Sequence, residues 1–101
     1  MDQIEYFGQL AAAEPGEPRA RFGYAHALLK AGRYEEAVEE FRAYLSLAED
    51  EGNAHGRLAE ALAALVRTDE AADAYLAGID QALKFGHTGM ADDFQAAIEE
   101  L

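Results

Sequence analysis

Residues 24–41, YAHALLKAGRYEEAVEEF, lie over residues 58–75, LAEALAALVRTDEAADAY, with no gap. Tyr24 then falls on Leu58, Ala25 on Ala59, Leu28 on Leu62, Ala37 on Ala71 and Phe41 on Tyr75, each pair 34 residues apart. Small and bulky apolar residues recurring at one fixed period of this length mark a helical repeat array. A repeat of this kind cannot cover its own apolar sides, so it is stable only when stacked on neighbours. That requirement constrains the fold more than any other feature of the chain.

Within the 101 residues there is room for one domain with a modest core. Half of them are apolar, which is too many for a disordered chain. Cysteine is absent, so disulfides, thiolate metal sites and thiol catalysis are excluded. Twenty acidic residues against eight basic ones give a net charge of −12. Such a surface repels phosphate backbones and anionic lipid, so neither nucleic acid nor a membrane is an expected partner. Adaptation to high salt is one source of this balance; a well-solvated helical surface is the simpler one. The opening MDQIEYFGQL has no basic leader, and no apolar run approaches a bilayer span, so a soluble cytoplasmic location is expected.

Helical spacing recurs along the whole chain. Ile4, Phe7, Leu10 and Ala11 form one stripe over residues 2–13, with Asp2 and Glu5 placed for a capping box. Pro15, Gly16 and Pro18 make a turn, and Pro18 suits the first turn of a helix that Gly32 ends. A helix over residues 34–48 is expected to bury Tyr34, Ala37, Val38, Phe41, Tyr44 and Leu45. Glu35, Glu36, Glu39 and Glu40 on its other side read as a solvated face, with a metal site as the alternative. The polar turn at residues 49–53 precedes a helix over 54–66. Thr68 is placed to cap a long helix reaching Phe85, with Ala71, Ala74, Tyr75, Gly78, Ile79, Ala82 and Leu83 inward. After GHTG at residues 86–89, Met90, Phe94, Ala97, Ile98 and Leu101 share the stripe of a last helix.

These residues resemble the tetratricopeptide repeat family. The period fits, as do Ala25 and Ala59 in the first helix, Gly32 and Tyr34 at the turn, and Ala37, Phe41, Ala71 and Tyr75 in the second helix. Pro15 stands where the family often closes a second helix, and residues 78–101 resemble the ending of many small bacterial members. Departures are Arg21 and His55 at aromatic positions, Val66 for the turn glycine, Glu49 for the closing proline, and Tyr44 and Gly78 for alanine. The resemblance implies an all-α protein of six helices, a right-handed α-solenoid of antiparallel helix hairpins. Residues 1–15 would be an orphan second helix acting as a cap, 18–51 and 52–85 two repeats, and 88–101 a C-terminal capping helix.

By the same resemblance, function is expected on the concave wall built by first helices: a protein or peptide segment bound without catalysis and without a cofactor. Arg19, Phe22, Gly23, His26, Leu29 and Lys30 would belong to that wall, followed by Asn53, Gly56, Arg57, Glu60, Ala63 and Ala64. His87, Met90 and Phe94 would complete it. Spacing alone puts residues 22, 26, 29 and 30 on one helical face, where Phe22 and Leu29 have no evident place in a helix-pair core. They are candidate anchors for a peptide, unless the cap helix fills the groove. The carboxylate-gripping set of some family members matches only at Arg57, since Phe22, His26 and His87 stand at its other places. His26, His55 and His87 lack metal-ligand spacing, and Ser46, Thr68 and Thr88 lie in no nucleophile motif. The alternative function is a self-associating module whose terminal helices stack in a homodimer.

Overall fold

The computed structural model describes all residues from Met1 to Leu101 and contains six helices and no strand. They are α1 (Gln3–Ala13), α2 (Pro18–Lys30), α3 (Tyr34–Leu47), α4 (Asn53–Ala64), α5 (Thr68–Lys84) and α6 (Thr88–Glu99). The Asp2 carboxylate accepts the Glu5 N–H at 2.8 Å and starts α1, while Pro18 occupies the first turn of α2.

One turn is used three times. Gly32, at φ +76°, donates to the Leu29 carbonyl at 3.0 Å, and Arg33 donates to Leu28 at 2.9 Å. These are the paired bonds of a Schellman motif, which satisfies carbonyls left open at a helix end. Val66 and Arg67 repeat them onto Ala63 and Leu62, both at 2.9 Å, with Val66 at φ +59°. The 34-residue period therefore survives in the backbone even where glycine does not. It survives in side chains too: Arg33 donates two bonds to Glu36 at 2.7 and 2.9 Å, and Arg67 pairs with Glu70 in the same way.

Gly86 and His87 make the third copy, onto Leu83 and Ala82 at 3.2 and 2.7 Å. A shift of 34 lays α6 over α4, yet the turn leading into α6 is the one leading into α3 and α5. Buried Ala37, Ala71 and Ala91 each follow that turn at the same distance. Thr68, expected as a cap, is instead the first residue of α5; Arg67 holds the cap position and no side chain bonds there.

The helices form two compact units, Met1–Glu49 and Asp50–Leu101. In the first, α2 packs on both α1 and α3; in the second, α5 packs on both α4 and α6. Phe41 and Leu28 are fully buried in the first unit and Leu62 in the second, each worth about 2–3 kcal/mol of apolar transfer. Most other buried side chains are alanines, which let the helices approach closely. One expected core residue is not inside: Leu83 is 55% exposed, and neighbouring Ala82 takes the interior position.

Candidate functional site

The second unit carries an open groove between α4 and α6. Its position depends on how α4 begins. The buried Asp50 carboxylate accepts the Gly52 N–H at 2.9 Å and the Ala54 N–H at 2.8 Å, tying down backbone donors that the first turn leaves open. From that start, Asn53, Gly56, Arg57 and Glu60 follow one another down a single helix face. Met90, Asp93 and Phe94 of α6 face them across a space of about 290 Å³.

Phe94 makes the floor. Its ring lies against Gly56 and Gly78, and a Cβ built on Gly78 would stand 2.9 Å from the ring. The Tyr75 ring is 5.5 Å away, tilted by 48°. Burial holds the Tyr75 hydroxyl above the ordinary phenol range, and the Glu60 carboxylate raises it further. Met90 fits against Gly52 in the same way, with its sulfur 2.8 Å from where a Cβ would be.

The rim is polar and loosely tied. Arg57 and Glu60 approach to 3.6 Å, with side chains 39% and 50% exposed. An ion pair that wet contributes about 1 kcal/mol at most, so both charges can turn to a ligand at little cost. Asn53 adds a donor and an acceptor, and Asp93 a second carboxylate. An aromatic and thioether floor under such a rim has the makeup of a site for a side chain together with its peptide groups. His87 stands outside it, with Nε2 2.7 Å from Glu51.

Of the ten residues that the resemblance places on the concave wall, Asn53, Arg57, Glu60, Met90 and Phe94 meet in this groove. Arg19, Phe22, His26, Leu29 and Lys30 belong to α2 in the other unit. There Phe22 does have a place between the paired helices: its ring meets Phe41 at 6.0 Å and Tyr44 at 5.2 Å, both edge-on, and lies parallel to His26 at 6.2 Å. Leu29 is half-buried. Arg19 borders a depression of about 530 Å³ with Phe7, Leu10, Glu14, Glu17 and Ala20. Lys30 borders one of about 380 Å³ with Asp2, Gln3, Ile4, Ala27 and Ala31. Sequence reasoning passed over Asp93 and the role of Asp50. The first was readable from its place three residues after Met90, on the stripe of Phe94; the second carries no periodic signal.

Glu40 and Glu36, two of the four carboxylates on α3, are engaged by Arg21 and Arg33 respectively. No helix is long and apolar enough to cross a membrane. Residues 4–52 match a family model described as tetratricopeptide repeat. No curated protein matches the chain.

Proposed function

We propose, since this chain is a tetratricopeptide repeat protein and such repeats mediate protein–protein interaction, that its groove between α4 and α6 binds a peptide segment of a protein partner. The role is that of a non-catalytic adaptor. An apolar side chain of the partner would rest on Phe94 and Met90, while Asn53 and Arg57 hold its backbone or a carboxylate and Glu60 and Asp93 take its donors. The observation that carries this reading is that five residues which the family resemblance assigns to the concave wall, from two helices, surround one open space. Association through such a small site is expected to be weak and sensitive to salt.

The test is a selection from a random peptide library displayed on phage. Enriched peptides are then titrated into isotope-labelled protein and followed by NMR. Shifts centred on Asn53, Arg57, Glu60 and Phe94, with binding lost in Arg57→Glu at unchanged melting temperature, are the expected result. Peptides that shift only residues outside the groove, or that bind Arg57→Glu equally well, overturn it. Sedimentation of the free protein addresses the self-stacking alternative: a dimer that dissolves on mutating the terminal helices, with no peptide enriched, favours that module instead.

A further inference from the structure

α5 presents a second feature that the groove does not use. Leu76 and Leu83 are 50% and 55% exposed. They lie seven residues apart, two helical turns, and therefore on one line along the helix. Half-buried Ile79 continues that line on its inner side. Asp69, Asp73 and Asp80, all exposed, form a parallel line beside it. None of the three carboxylates has an ion-pair or hydrogen-bond partner within the chain.

The repeat itself shows that the fold does not demand these leucines. A shift of 34 carries Leu76 to exposed Arg42 in α3 and Leu83 to Glu49, just past the end of α3, whereas Asp69, Asp73 and Asp80 correspond to Glu35, Glu39 and Ser46. Two of the three carboxylates thus recur in α3, while Asp80 and the apolar line belong to α5 alone. Two large aliphatic side chains half or more exposed, one of them at a position where the other repeat carries a charge, point to a covering partner.

We infer that the outward face of α5 docks an amphipathic helix of another protein, one with Lys or Arg beside its apolar stripe. Charge selects this occupant. A second copy would set one aspartate line against another on molecules of net charge −12 each, and an anionic membrane or a nucleic acid meets the same repulsion. A basic helix covers both lines at once, its leucine-type residues on Leu76 and Leu83 and its cations on Asp69, Asp73 and Asp80. The face runs about 21 Å, the length of four helical turns. This surface is separate from the groove and stands or falls without it.

The probe is a synthetic helix of about five turns with leucines at every third or fourth position and lysines alongside. Two controls carry serine for leucine, or glutamate for lysine. Fluorescence anisotropy with the intact protein is expected to show binding of the probe and a loss of about tenfold or more for either control. Leu76→Ser with Leu83→Ser should weaken the probe by a similar factor. Asp73→Asn with Asp80→Asn should weaken it and flatten its salt dependence, whereas Arg57→Glu should leave its affinity unreduced. Leu76, Leu83, Asp73 and Asp80 are exposed, and an unchanged melting temperature identifies folded variants. Equal binding of the serine control would mean adhesion of a cation to an acidic protein and would overturn the inference. So would indifference to either double variant, or a homodimer in sedimentation that the leucine substitutions dissolve.

Discussion

The ring of Phe94 occupies the space over Gly56 into which any Cβ would have to project. Two helices separated by the whole of α5 thereby depend on each other's side chains, one supplying a ring and the other an absence. The floor of the groove is set by that fit.

Gly56→Val should displace the ring and cost about 2 kcal/mol by overpacking. Phe94→Ala alone should cost a similar amount, since the ring is only half-buried. The double variant should be less destabilised than the two costs together, with a coupling of about 1 kcal/mol read from urea unfolding. Strictly additive costs would show that the two residues do not share one space.

Val66 should be an easy site to improve. It holds the left-handed turn position filled by Gly32 and Gly86, at φ +59°, and its side chain is 81% exposed, so little packing is lost with it. A β-branched residue there is strained by about 1–2 kcal/mol, part of which glycine returns through its freer unfolded chain. Val66→Gly is expected to gain roughly 1 kcal/mol and raise the melting temperature by about 4 °C. Gly32→Val should move it the other way. A drop in Val66→Gly would refute the turn assignment.

Arg21, which stands where the family usually has an aromatic residue, donates to Glu40 at 2.5 Å, both side chains less than one-fifth exposed. Its Nε has no acceptor, and its other contact is the Pro15 carbonyl at 3.4 Å. Glu40→Ala strands the guanidinium and should cost about 1–3 kcal/mol in chemical denaturation. Arg21→Met removes the charge as well as the bond and should be close to neutral. An Arg21→Met cost equal to that of Glu40→Ala would contradict this.

Tyr75 makes stability depend on alkaline pH. Its folded pKa lies above the unfolded value of 10.0, so the folded state favours the neutral phenol. Its contribution is whole below pH 10 and is lost as pH rises through the folded pKa. Melting temperatures measured on either side of that range should fall with pH, and Tyr75→Phe should lessen the fall. An identical decline in Tyr75→Phe would show that the sensitivity does not come from Tyr75.

The helices were legible in the sequence because they rest on local rules, though not every end was: the helix expected over 54–66 stops at Ala64, and Thr68 does not cap the next one. Apolar spacing is a property of one helix at a time, and a left-handed turn residue needs only its own neighbours to close the two bonds behind it. Even Val66 was recognisable, since the period put it opposite Gly32. Asp50 was not, because a lone carboxylate in a polar turn looks like its neighbours Glu49 and Glu51 until the backbone folds its donors onto it.

Sequence alone determined that this would be a chain of paired helices with a 34-residue beat, acidic and free of thiol chemistry. Tertiary structure decided which stripes were covered. Phe22 found Tyr44 and Phe41, Phe94 found Gly56 and Gly78, and Leu83 stayed more than half exposed. The reason is physical: a side chain's pattern fixes the direction in which it leaves its helix, but burial is decided by whatever other element arrives there, and that arrival is not written in any one segment.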